Sequence, residues 1–185
     1  MDPKNIIYGN PPKLNVFISL FSSFGDKISS LQQCVQILKD KIQLEIVTST
    51  SFYEVEPQLP DSAWSICAVL QASTKYPPLK LFNEIKAVEK FMNSLYQKDL
   101  SNGSMHLPNF TEKLFAIDLL FYEDLVFEDE EICIPSPLVH TKASILVPLL
   151  EISPNLIHPK FDKTITKLYE ILPNPEQVIL YGTNV

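Results

Sequence analysis

The sequence predicts an α+β fold, a ferredoxin-like α/β sandwich with an antiparallel central sheet and C-terminal helices. Three observations lead there. The apolar period changes along the chain in the order β-α-β-β-α-β. Two stretches carry one apolar stripe each at helical spacing. One segment near the middle alternates clearly enough to be read as a half-buried strand.

Residues 14–20 (Leu-Asn-Val-Phe-Ile-Ser-Leu) read as the first strand, closed by a turn through Ser22, Ser23 and Gly25. Ile28, Leu31, Val35, Leu38 and Ile42 then recur as one helix face, predicting a helix over 27–41. The β-branched stretch 43–55 predicts one strand ending at Glu56-Pro57, and a Pro-containing loop leads to Trp64 and a third strand over 64–73. Pro77-Pro78 opens a second helix, 79–96, with Leu81, Ile85, Val88, Met92 and Leu95 along one face. A polar loop is expected over 94–113. In the strand 114–122, Phe115, Ile117, Leu119 and Phe121 are expected on one face, with Ala116 and Asp118 on the other. Leu125-Val126 and Ile132-Cys133-Ile134 read as short strands around a solvated acidic tip, Glu128 to Glu131. Helices over roughly 141–151 and 162–172 complete the pattern. The helices 27–41 and 79–96 should cover one face of the sheet. Asp118 should point to the other, near Trp64.

A length of 185 residues and a hydrophobic fraction of 45% suit one domain with a full core. Its expected limits are a polar extension 1–13, a domain 14–172 and a C-terminal tail 173–185. No apolar run reaches the roughly 20 residues that span a bilayer, and residues 1–13 are polar rather than signal-like. A cytoplasmic, membrane-free protein is expected. The net charge of −7 is spread through the chain and argues against a nucleic-acid surface. All 15 basic residues are Lys, so no guanidinium fork is available to grip phosphate. Cys34, Cys67 and Cys133 lack metal-ligand spacing and read as free thiols among apolar neighbours.

An ordered set of segments then carries a resemblance. Ile117-Asp118-Leu119-Leu120-Phe121-Tyr122 leads to Ile134-Pro135-Ser136-Pro137, then Leu146-Val147-Pro148-Leu149, Glu151-Ile152-Ser153-Pro154 and His158-Pro159. Upstream stand Gly25-Asp26 and Ser51-Phe52-Tyr53-Glu54-Val55-Glu56-Pro57. Over residues 14–172 this resembles the 6-hydroxymethyl-7,8-dihydropterin pyrophosphokinase family of folate biosynthesis. The resemblance implies transfer of pyrophosphate from ATP to a reduced pterin with two Mg2+ ions, held by paired aspartates at i and i+2 of a strand. The pairing has a physical logic, since residues two apart share a strand face and can hold both ions against the triphosphate.

Carried onto this chain, the resemblance implies Asp118 as metal ligand and, with Lys113 and Lys142, as the catalytic set. It implies nucleotide contacts from Lys113, Phe110 and Lys142, and pterin contacts from Tyr53, Val55, Glu56 and Trp64. Several family positions are changed. Ala116 stands for the first Asp, Ser136 for a His, Lys113 and Lys142 for Arg residues, and Ser94 lies near a third. Ile66 is read at the pterin-binding Asn, Ser144 at a stacking aromatic, and Phe21 and Ser23 within a Gly-Ser-Asn turn. Each retained residue also has an ordinary reading: Asp118 as a solvated strand face, Trp64 as core, the lysines as solvating charge. His140 reads as structural, and His106 as a loop residue. The expected function is therefore an impaired pyrophosphokinase. The alternative is an inactive relative that serves as a binding or scaffolding domain, with dihydropteroate synthase as a possible partner.

Overall fold

Turn chemistry sets where each element begins and ends. The computed structural model describes residues 13–57, 63–101 and 114–183. β1 (Leu14–Ser22) is buried without interruption from Val16 to Leu20, as befits a central strand covered on both faces. Gly25 then takes φ 62°, a conformation that L side chains resist, and turns the chain into α1 (Lys27–Ile42). Asp26 caps that helix by accepting the Ser29 hydroxyl (2.7 Å) and backbone N–H (3.1 Å). Those bonds hold its carboxyl below the usual carboxylate range. Lys39 and Lys41 complement the dipole in the last turn, and Gln43 closes the helix in the left-handed region.

The stretch expected as one strand is two, β2 (Glu45–Ser49) and β3 (Phe52–Val55). Both pair with β4 (Ser65–Thr74), and the interruption is fully bonded. The Thr50 hydroxyl accepts the Val69 N–H (3.0 Å), standing in for a ladder carbonyl, while the Ser51 N–H turns to the Glu151 carboxylate (2.9 Å). α2 (Pro78–Ser101) is longer than expected, so residues 94–101 belong to helix rather than to the loop.

β5 (Phe115–Tyr122) pairs with β1, with a register shift between Phe17 and Ile18. Leu120 is the extra residue of this bulge. The bulge overturns one expectation: Phe121 lies on the face opposite Phe115, Ile117 and Leu119, and Tyr122 takes the face expected for it. A hairpin follows, with β6 (Phe127–Glu128) displaced from the expected 125–126 and β7 (Cys133–Ile134) close to its expected place. Then come a cis Ile134–Pro135 bond, a 3-10 turn over Pro137–His140, and α3 (Ala143–Ile152). A hairpin of β8 (Ile157–His158) and β9 (Lys163–Thr164) leads into α4 (Ile165–Glu170). The segment expected as a tail supplies β10 (Val178–Gly182), which pairs with β3. The strand order is β10-β3-β4-β1-β5, with β2 also on β4, antiparallel throughout.

Two cores sandwich this sheet. One unites Val16, Ile18, Leu20, Ile66, Ala68, Phe115 and Ile117 with the apolar stripes of α1 and α2, as expected. The other joins Phe17, Val69, Leu120 and Phe121 to Val139, Leu146 and Leu149 of the turn and α3, and to Ile165 and Leu168 of α4. No described helix is long and apolar enough to cross a membrane. Cys34, Cys67 and Cys133 are free thiols.

Candidate active-site cleft

The second core covers its face incompletely. Beside the N-terminus of α3 a cleft of about 290 Å³ remains, close to the lower size of small-molecule pockets. Strand pairing lays out its floor in rows. Cys67, Phe21 and Ala116 are cross-strand neighbours on β4, β1 and β5, and Ser19 stands beside Asp118 one row further on. Val55, Glu56, Pro57, Ala63 and Ser65 form one rim; Leu138, Lys142, Ser144 and Ile145 form the wall opposite. Glu176 enters from the C-terminal segment.

Two local devices position the wall. The bulge carbonyl of Leu120 accepts the Ser136 N–H (2.9 Å), which docks the 3-10 turn, and the Ser136 hydroxyl caps that turn through the Leu138 N–H (3.3 Å). Pro148, inside α3, has no N–H for the carbonyl four residues back. That carbonyl belongs to Ser144, and it accepts the Cys67 thiol instead (3.3 Å). Burial, with Glu176 nearby, pushes the Cys67 thiol far up, so it is a fixed donor under the wall.

Lys142 precedes α3 and gives it no side-chain cap. Glu176 supplies the cap from 32 residues downstream, accepting the Ser144 N–H (3.0 Å) and hydroxyl (2.8 Å). Burial pushes the Glu176 carboxyl up, but the bonds from Ser144 and Ala143 outweigh it and hold the group below its usual range. The sequence offered no local signal for this cap. Its neighbour Gln177 donates its N–H to Glu56 (3.1 Å) and its carbonyl accepts the Glu56 N–H (3.0 Å), which stitches the segment to the rim.

Of the residues proposed from sequence, Asp118, Val55, Glu56 and Lys142 line one cleft. Asp118 lies on the cleft face of β5, in the expected register, and its carboxylate also reaches Lys86 of α2 at the strand edge (3.4 Å). Tyr53 and Trp64 do not line it. The Tyr53 hydroxyl is bonded to Glu151 (2.9 Å), and burial together with that carboxylate pushes its pKa up to about 12. Trp64 joins neither core, and its carbonyl accepts Lys27 Nζ (2.5 Å). Ile66 is packed against the helices, and the side chain that enters the cleft is its neighbour Ser65. Phe110, Lys113 and His106 lie outside the described residues. His140 belongs to an aromatic cluster, its ring 4.8 Å from Phe161, and His158 lies 4.5 Å from the same ring. Burial pulls both imidazoles down, His158 to about 4.

The donor set does not fit a pair of magnesium ions. Of its three carboxylates, Glu176 is bonded to Ser144 and Glu56 to the Gln177 N–H, and Asp118, the one at a matched metal position, faces the Lys86 ammonium at 3.4 Å. Ala116 brings no oxygen. Among the described residues no three His, Cys, Asp or Glu side chains gather where a metal could sit.

The family model for 7,8-dihydro-6-hydroxymethylpterin-pyrophosphokinase matches residues 17–154. A 2-amino-4-hydroxy-6-hydroxymethyldihydropteridine pyrophosphokinase of Haemophilus influenzae is 26% identical over 156 residues, covering 84% of this chain and 91% of that protein. The folic acid synthesis protein FOL1 of Dictyostelium discoideum is 30% identical over 175 residues, 92% of this chain. The chain spans only 24% of that longer relative. Among solved structures, wild-type Plasmodium falciparum HPPK-DHPS with pteroate matches with a TM-score of 0.65 at 13% identity, over 88% of this chain and 43% of that one. That likeness is one of fold.

Proposed function

Because this chain belongs to the 7,8-dihydro-6-hydroxymethylpterin-pyrophosphokinase family, we propose that it transfers pyrophosphate from ATP to 6-hydroxymethyl-7,8-dihydropterin in folate biosynthesis, far more slowly than a relative with two aspartates. The observation that carries this reading is the cleft, which brings Asp118, Lys142, Val55 and Glu56 together between the sheet and α3.

In this reading the flat pterin ring lies on the sheet floor. Val55 and Glu56 border the ring from the rim, the Ser65 hydroxyl meets its edge, and Phe21 supplies an apolar surface. Lys142 brings positive charge from the wall to the ATP phosphates. Asp118 accepts a hydrogen bond from the hydroxymethyl group and orients its oxygen. Most of the acceleration then comes from holding two reactants together in a site that excludes water. Magnesium is the family's electrophile, but the side chains described here do not form its site. Each missing electrostatic partner withholds about 2.7–4 kcal/mol of barrier lowering.

The Lys86–Asp118 ion pair favours a second reading, a pterin-binding domain without turnover, since it occupies the one matched carboxylate. A dihydropteroate synthase is the partner we propose in either case, because the matching solved chains join HPPK and DHPS.

The decisive experiment supplies purified protein with ATP, magnesium and the hydroxymethyl pterin, and measures AMP alongside pterin binding by fluorescence. Slow AMP formation with binding supports the enzyme. Binding without AMP moves the chain to the second reading. Absence of binding removes the cleft assignment altogether.

A further inference from the structure

Edge strands expose unpaired N–H and C=O groups, and β5 is an edge of this sheet. Here α2 closes that edge with side chains. Asn93 takes both groups of Phe115, donating to its carbonyl (2.8 Å) and accepting its N–H (3.1 Å). One turn back, Glu89 accepts the Ile117 N–H (2.8 Å) and Lys86 donates to the Ile117 carbonyl (2.7 Å). Glu89 is 7% exposed, so its charge must be compensated locally. Lys86 does so at 2.9 Å and extends its third contact, at 3.4 Å, to Asp118 across the strand.

The Lys86 ammonium is thus ringed by three oxygens, from two carboxylates and a carbonyl. Hard oxygens around one positive centre are what a small divalent cation takes as ligands. The Lys86 ammonium also lies over the Phe82 ring, 5.7 Å from its centre, a further attraction that holds it in place.

We infer that Lys86 is a tethered counter-ion that fixes the Asp118 carboxylate at the cleft and denies it to divalent cations. It is a positioning residue, acting on substrate only through Asp118. The inference concerns the cleft of the proposed reaction, yet it stands without that reaction, because its test needs neither pterin nor ATP.

The test uses Mn2+ as the probe and electron paramagnetic resonance as the readout, on the full chain. In the wild-type protein, Asp118→Asn should leave Mn2+ binding within twofold. Lys86→Met keeps the stem and removes the charge, and should tighten Mn2+ binding at least tenfold. Adding Asp118→Asn to Lys86→Met should abolish that gain. A wild-type protein whose Mn2+ affinity drops tenfold with Asp118→Asn would overturn the inference, since Asp118 would already be a metal ligand. A folded Lys86→Met protein with unchanged affinity would overturn it as well. If Lys86→Met does not fold, the comparison of wild type with Asp118→Asn decides the matter alone.

Discussion

The two faces of the sheet are built from the same strands yet do different work. Toward α1 and α2 the buried side chains of β1, β3, β4 and β5 join the apolar stripes of both helices in one core. Toward α3 and α4 the packing covers one end of the strands, and the other end is left as the cleft. The division is visible within single strands: on β4, Val69 is core while Cys67 is cleft floor and Ser65 its rim. A protein of this size therefore anchors its stability on one face. It can leave the other incomplete at a cost that the first face sustains.

Cutting a core side chain on the first face should produce the largest change. Ile85→Ala, at a fully buried position of α2, should lower unfolding free energy by about 2–5 kcal/mol in urea titrations. Phe21→Ala on the cleft floor should cost much less, and comparable losses at both positions would erase the distinction between the faces.

Next in size is an effect on turnover. Lys142→Ala should slow AMP formation roughly 10²-fold while stability stays within about 0.5 kcal/mol. Equal activity in the variant would remove Lys142 from the phosphate wall.

The second face also has a pH limit of its own. His158 is held neutral, its pKa pulled down to about 4 by burial and by His140, from an unfolded value of roughly 6.5. Below the unfolded value the denatured chain takes up a proton that the native one resists. Stability is therefore full above roughly pH 6.5 and falls as pH drops toward 4. Thermal unfolding of His158→Gln should show a shallower decline across that window, and parallel curves would rule the group out.

The smallest expected change is at the cap of α3. Glu176→Gln should cost about 0.5–1 kcal/mol, in the range of lost helix caps. The wild-type carboxyl is held below its usual range, so its contribution is present above the ordinary carboxylate pKa and disappears as pH falls through the folded value. Hydrogen exchange at Ser144 would report the loosened turn directly.

Much of the frame was legible because its signals are local. Ile28, Leu31, Val35 and Leu38 announce α1, and Phe115, Ile117 and Leu119 announce the inner face of β5. The bulge was not, because Leu119, Leu120 and Phe121 are all apolar and an added residue leaves no mark in such a run. The resemblance set Ile66 at the pterin-binding Asn position, and the run from 65 to 70, buried on both faces, shows no alternation that would have pointed to Ser65 instead. In the site, Asp118, Lys142, Val55 and Glu56 were found through the resemblance. Lys86 and Glu176 were not, because each acts on residues about 30 positions away and neither belongs to a motif.

The side-chain closure of β5 also bears on how the protein behaves in a crowded solution. With Asn93, Glu89 and Lys86 occupying the outward groups of Phe115 and Ile117, that margin has few donors or acceptors left for an incoming strand of another molecule. At the opposite margin β10 has a single strand neighbour among the described residues, β3, and carries exposed Ile179, Leu180 and Tyr181. Sheet extension by another molecule is therefore expected at β10 or at the outer edge of β2, which pairs only with β4 among the described residues, rather than at β5.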